Sequence, residues 1–324
     1  MEIAEVLSPE PSPLWDLVRQ CGVNHVVGRF PRVEETESGS EEKPWHYEPL
    51  KKALAAYQSA GFELSVIEAR PPLQNAKLGL PGRDEEIKEV IHLIQAMGRL
   101  GIPVWCYEWM SILNWVRTST DIPGRGGALV TGFSVEEDAR LPDIETDGLT
   151  EDALWENLRY FLERVLPVAE NASVKLAMHP DDPPKSPVRG IPRIIRSIDA
   201  YDRLLALVPS PSNGIALCQG NFTLMTDDLP SAIRHFGEME KIFFVHFRDV
   251  RGSVESFQET FHDEGKTDMA ECMRAYRDIA FSGVCRPDHV PTMSGDTNEQ
   301  PGYSSIGRLF AIGYLRGLMH AVSR

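Results

Sequence analysis

A single (β/α)8 TIM barrel is the fold class that the sequence predicts, and three observations carry it. Short apolar runs alternate eight times with stretches at helical spacing, the pattern of parallel strands joined by crossover helices. No shift in composition marks a linker anywhere in the 324 residues, so residues 1–324 read as one domain. No Gly-x-Gly-x-x-Gly follows the first strand-like run, which argues against a doubly wound open sheet.

An amphipathic segment near Pro13–Gln20 leads into NHVVGR, Asn24–Arg29, the expected first strand. Phe30 to Lys43 reads as a polar loop, and Trp45 to Ala60 as a helix closed by Gly61. Leu64–Ala69 is the expected second strand. A cap at Asp84, with Glu85 and Glu86 suited to the positive end of a helix, opens the next helix. Ile87, Val90, Ile91, Ile94 and Met97 then recur at helical spacing. Pro103–Trp109 is the third strand.

From Met110 to Asp147 the periodicity lapses, and a stretch of that length predicts a lid-like insertion after strand three, about 110–147. Its glycines precede no Gly-Lys-Ser/Thr, so they do not form a phosphate loop; Gly124–Phe133 reads as a lid or a subunit contact. Thr150 caps a helix carrying Leu154, Trp155, Leu158, Phe161, Leu162 and Val165 on one face.

Lys175–Met178 is the fourth strand, delivering His179 to its end before Pro180 stops the ladder. Ile191–Leu207 reads as a helix, Ile215–Gly220 as strand five, Leu229–Phe236 as a short helix and Ile242–Asp249 as strand six. SFQETFH, Ser256–His262, is taken as strand seven by its alternation. A helix over Asp268–Ala280, strand eight at Val284–His289 and a helix over Ser305–Val322 complete the count.

Lysine and arginine number 33 against 48 acidic residues, a formal charge of −15. Such a chain repels phosphate backbones and anionic lipid, which excludes nucleic-acid and membrane roles. Five cysteines without a CxxC pair suggest a reducing compartment. The stretch MEIAEVLSPE has neither a basic start nor a long apolar run. A cytoplasmic protein acting on a small molecule, and assembling as a homo-oligomer, is the expectation.

In a barrel the active site gathers at the C-terminal ends of the strands. Four metal-ligand residue types stand there: His179, Cys218, His246 and Asp288. Alternation aligns Ala177 with His179, Ala216 with Cys218, and Phe244 with His246 and Arg248, a consistent inward parity. Two imidazoles, a thiolate and a carboxylate suit zinc, iron(II), cobalt or manganese, with the cysteine favouring zinc or iron by softness.

The motifs HPDDPP, ALCQGN, VHFRD, FQETFH, RPDH and PGY, with the earlier PGRDEE and RGGALVTGF, resemble the mannonate dehydratase family from about Gly22 to the C-terminus. The resemblance implies a xylose-isomerase-like barrel that dehydrates D-mannonate to 2-keto-3-deoxy-D-gluconate in hexuronate catabolism, with a divalent metal, usually manganese. It implies that His179, Cys218, His246 and Asp288 are ligands, and that His289 and Tyr303 are the acid/base pair. One departure stands out, DHVP where most members read DHGR, so Val290 and Pro291 replace a glycine and an arginine. The missing cation suggests weak use of D-mannonate or preference for a related aldonic acid such as D-gluconate, with Arg248, Arg286 or Arg29 compensating. A sugar isomerase or epimerase on the same barrel and a catalytically silent sugar-acid-binding paralogue are the rival expectations.

Overall fold

Runs dense in valine, isoleucine and aromatic residues are buried on both faces when strands run parallel inside a ring of helices. A computed structural model describes residues 1–32 and 42–323. Its strands are β1 (Glu2–Leu7), β2 (His25–Gly28), β3 (Glu63–Ile67), β4 (Val104–Glu108), β5 (Ser119–Pro123), β6 (Leu129–Ser134), β7 (Lys175–His179), β8 (Asn213–Cys218), β9 (Ile242–Phe247), β10 (Val250–Ser253), β11 (Ser256–Glu259) and β12 (Val284–Pro287). Eight of them close into a parallel barrel in the order β1-β12-β9-β8-β7-β4-β3-β2. The other four form an antiparallel sheet, β10-β11-β6-β5.

The barrel is thus the predicted fold, but one of its strands is not among those predicted and one predicted strand lies outside it. Asn24–Arg29 is the second strand, because Glu2–Leu7 opens the barrel and pairs with both β2 and β12. Glu5 conceals that strand: a carboxylate breaks the apolar run, yet it is fully buried, accepting from its own neighbour Val6 N and lying 3.6 Å from Arg308. SFQETFH is a strand over Ser256–Glu259, but it pairs antiparallel with β10 and β6 outside the barrel. Its alternation signals a half-covered antiparallel strand, whereas the barrel strands are nearly continuous apolar runs.

The stretch 110–147 contains β5 and β6 and a short helix at Val135–Asp138; Gly124–Phe133 spans the turn and most of β6. Helix Arg83–Leu100 starts one residue before Asp84, with Gly82 at its cap. The helix expected over Ile191–Leu207 covers only Ile198–Leu207, where Ser197 Oγ accepts from Ala200 N. Pro192 disfavours helical backbone at Ile191 and offers no N–H of its own. Most of the polar loop expected at Phe30–Lys43 lies outside the described residues. The Thr150 cap stands, accepting from Ala153 N at 3.1 Å, as does the closing helix Ser305–Val322.

Val6, Val27, Val66, Ala177, Ala216 and Phe244 fill the barrel interior. Side chains alternate across a strand, so residues two positions beyond these layers face the axis at the C-terminal mouth. That parity is what brings His179, Cys218 and His246 together. Among the described residues no helix is long and apolar enough to cross a membrane.

Candidate metal and active site

His179 ends β7, Cys218 ends β8 and His246 lies one residue before the end of β9. Ligand atoms of these three all lie within 4.8 Å of one another. Asp288, just past β12, brings Oδ2 to 3.9 Å from Cys218 Sγ and 3.5 Å from His246 Nδ1. The structure therefore gathers all four expected ligands.

Both nitrogens of His246 are buried and make no hydrogen bond among the described residues, although Nε2 faces Glu68 at 3.3 Å and Nδ1 faces Asp288 at 3.5 Å. An imidazole stripped of water on both sides is costly unless something else occupies it, and a divalent ion among these donors would do so. Cys218 fits as well. Burial alone would raise its thiol, but the guanidinium of Arg248 at 3.5 Å, with His179 and His246, brings it down to about 5. A thiolate is the ligating form. Asp288 is held well below the ordinary carboxylate range, its burial outweighed by Arg286, His289 and His246.

A cavity of ≈ 280 Å³ opens above these residues. His289 and Tyr303 share its wall, their rings 5.5 Å apart and nearly perpendicular. His289 sits at φ +44°, a left-handed backbone that turns the chain sharply after Asp288. Its Nδ1 lies between Glu259 Oε1 at 2.9 Å, which can only accept, and Arg117 at 3.0 Å, which can only donate, so Nδ1 is the anchored side of the ring and Nε2 the other. Tyr303 is pushed up to about 12 by burial and by Asp288. It stays a protonated donor at neutral pH.

The three expected substrate-binding arginines fall in different places. Arg248 is fully buried and does not line the cavity. It donates to Glu259 at 2.8 and 2.7 Å, to Asp182 at 2.9 Å and to Asn221 at 2.6 Å. Arg286 reaches the cavity but is engaged by Glu68 at 2.7 and 2.9 Å and by Asp288 at 2.8 Å. Arg29 faces the cavity with no carboxylate partner among the described residues, its guanidinium 5.8 Å from the Tyr303 ring.

Arg117 is a residue that sequence reasoning missed. From the 110–147 stretch it donates to Asp182 at 2.7 and 3.0 Å and to Glu259 at 2.6 Å, and it lies 3.0 Å from His289 Nδ1. Arg117, Arg248, Asp182 and Glu259 form a buried, charge-balanced cage beneath His289 and beside Cys218. Glu259 falls to about 2, its burial outweighed by Arg248 and Arg117. Glu108 and Lys77 make a second buried pair, both carboxylate oxygens 3.0 Å from Nζ, with Arg70 closing on Glu108 at 2.6 Å from the cavity side. Nothing in the sequence marks Arg117 or Lys77, since neither belongs to a motif.

Val290 and Pro291 do not line the cavity. Val290 is buried against Gly307 of the closing helix, and the positive φ of this turn lies at His289.

Comparison with known proteins adds the family. The model of D-mannonate dehydratase (UxuA) matches residues 12–152 and 140–324. The mannonate dehydratase of Thermotoga neapolitana is 36% identical over 343 aligned residues, covering 95% of this chain and 93% of that protein. The crystal structure of mannonate dehydratase from Streptococcus suis serotype 2 superposes with a TM-score of 0.89 at 30% identity, covering 100% of this chain and 94% of that one. A xylose isomerase domain protein from Planctomyces limnophilus, at 14% identity and TM-score 0.62 over 99% and 98% of the two chains, shares the fold.

Proposed function

The chain belongs to the D-mannonate dehydratase family, and on that premise we propose how its residues divide the work. It is a hydro-lyase that removes water from D-mannonate to give 2-keto-3-deoxy-D-gluconate, and it is metal-dependent. The finer assignments are our own reading. His179, Cys218, His246 and Asp288 hold one divalent ion, which we assign as manganese on the resemblance stated above; iron(II), cobalt and zinc also suit the donor set. When bound, the ion supplies positive charge to the substrate carboxylate and the neighbouring hydroxyl.

The reaction must take a proton from C2, beside the carboxylate, and give one to the hydroxyl leaving C3. His289 takes the first through Nε2, with Glu259 and Arg117 holding the ring from its Nδ1 side. Tyr303 gives the second, since burial keeps its hydroxyl protonated. Arg29, with no carboxylate partner among the described residues, presents its cation to the sugar acid, while Arg248 and Arg286 act on Cys218 and Asp288. The observation that carries this reading is the shared wall of the cavity, where His289 and Tyr303 face the ligand cluster at 5.5 Å from each other.

We also propose a cytoplasmic homo-oligomer, the compartment supported by five free cysteines. The test is steady-state turnover of D-mannonate and D-gluconate with manganese, iron(II), cobalt and zinc in turn, with product analysis. Efficient 2-keto-3-deoxy acid formation from D-mannonate, fastest with manganese, is expected. An isomerised product would favour the epimerase chemistry, and no turnover with any metal would overturn the assignment of roles.

A further inference from the structure

Away from the barrel mouth, His46, Glu89 and His92 bring three ligand atoms within 4.8 Å of one another. His46 caps the helix Tyr47–Ser59, while Glu89 and His92 stand one turn apart on helix Arg83–Leu100, where residues three apart share a face. A groove of ≈ 250 Å³ between the two helices is lined by both histidines, Gln95 and Arg99.

An ion pair alone leaves this cluster incomplete. His46 Nε2 lies 3.1 Å from Glu89 Oε2, and Trp45 Nε1 donates to the same oxygen at 2.7 Å. His92 Nδ1 is 3.8 Å from that oxygen, too far for a hydrogen bond, and it is shielded from solvent with no hydrogen-bond partner among the described residues. The two imidazole rings meet edge to face, 5.5 Å apart at 87°, so their nitrogens converge on the carboxylate.

From this geometry we propose a second divalent-metal site, of the zinc class, with His46 Nε2, His92 Nδ1 and Glu89 as ligands and a fourth position open to water in the groove. Two imidazoles and a carboxylate are a known zinc donor set. Trp45 holds the carboxylate from outside, as an outer-shell donor does in such centres. Bonds of about 2 Å require the donors to draw within about 4 Å of one another, and these partly buried side chains have room to close. Binding changes the His46 tautomer: Nε2 releases its proton to water and gives its lone pair to the metal, while Nδ1 takes a proton from water. The long 3.3 Å contact from Lys43 N to Nδ1 then opens, and water serves that exposed amide. The ion fastens the Trp45–His46 segment to the neighbouring helix.

Total metal per chain, measured by elemental mass spectrometry after dialysis of the manganese-loaded enzyme against zinc at pH 7.5, tests the proposal. This count is unaffected by zinc replacing manganese in the catalytic centre. Two ions are expected in the natural chain, one in His46→Ala and one in His92→Gln, with turnover of D-mannonate unchanged in both variants. Cys218→Ser, which strikes the catalytic centre, is expected to retain one ion and to lose it when combined with His92→Gln. These two variants separate failure here from failure of the catalytic reading. A natural chain that holds a single ion, or two ions persisting in both histidine variants, overturns the second site.

Discussion

The barrel mouth and the antiparallel sheet beside it supply opposite kinds of group, the mouth to the cavity and the sheet to the cage beneath His289. The mouth contributes donors that are left open: neither nitrogen of His246 makes a hydrogen bond among the described residues, and Arg29 has no carboxylate among them. The sheet and its approach contribute groups that are saturated. Arg117 and Glu259 each make several ionic contacts, and together with Arg248 and Asp182 they close a neutral cage. Open groups act on the substrate or an ion, whereas saturated groups fix the positions of those that act. The comparison separates residues whose loss stops the reaction from residues whose loss blurs it.

The largest expected effect is at the open donors. Cys218→Ser and His246→Asn should each reduce catalytic metal and turnover to background, while circular dichroism and the unfolding midpoint stay close to those of the natural chain. The core of the eight-stranded barrel does not depend on an ion at its mouth. Full catalytic metal content in either variant would remove these residues from the ligand set.

Next come the proton-transfer groups. His289→Gln and Tyr303→Phe should lower kcat by about 10² to 10⁴ with metal still bound, the usual span for losing a general acid or base. Metal analysis beside steady-state kinetics separates this outcome from ligand loss. Near-normal turnover in Tyr303→Phe would assign the second proton transfer elsewhere.

The cage is predicted to answer differently. Glu259→Gln leaves two buried guanidinium groups facing Asp182 alone, and breaking a buried ion pair from one side costs about 3–5 kcal/mol. Urea unfolding should record that loss, while kcat falls only about 10- to 100-fold, as for outer-shell residues of metal sites. The acid response gives a second reading. Glu259 is lowered from 4.5 to about 2 in the folded chain, so its contribution to stability is present above 4.5 and is lost as pH falls toward 2. The natural chain should therefore lose stability more steeply than Glu259→Gln across that window. A variant as stable as the natural chain would show that the cage is not saturated in solution.

The same contrast explains what was legible in the sequence. Residues at strand ends declare themselves, because an apolar run followed by histidine or cysteine fixes both parity and height in the barrel, as at His179, Cys218 and His246. Cage residues do not. Arg117 belongs to a stretch without periodicity, and its partners Asp182 and Glu259 are 65 and 142 residues away; only the fold brings them into contact. Strand β1 was hidden for a related reason, since Glu5 looks solvent-facing until Arg308, from the last helix, is brought alongside. The strand count came to eight because one missed strand and one misassigned strand cancelled.

The smallest effect is expected at Val290, whose neighbour Pro291 stands where the family has an arginine, so that the sequence alone suggests a large effect for the pair. An arginine absent beside the acid/base histidine reads as a lost carboxylate contact, worth about 1.5–3 kcal/mol for a hydrogen bond to a charged group. In the structure, however, Val290 turns away from the cavity: its N–H donates to Gly302 O at 2.8 Å, and its side chain packs where a Cβ on Gly307 would lie 3.0 Å from Val290 Cβ. The residue belongs to the packing between the barrel mouth and the closing helix. Val290→Ala should therefore cost about 2 kcal/mol of stability, from buried methyl groups removed and the space left behind. Its KM for D-mannonate should stay within about twofold of the natural value, a difference of about 0.4 kcal/mol. Arg29→Met, on the open side of the comparison, should show the reverse, with unchanged stability and kcat/KM lower by about ten- to a hundredfold. Kinetics and urea unfolding on the two variants settle the matter, and a tenfold rise in KM for Val290→Ala with no loss of stability would return that position to the substrate site.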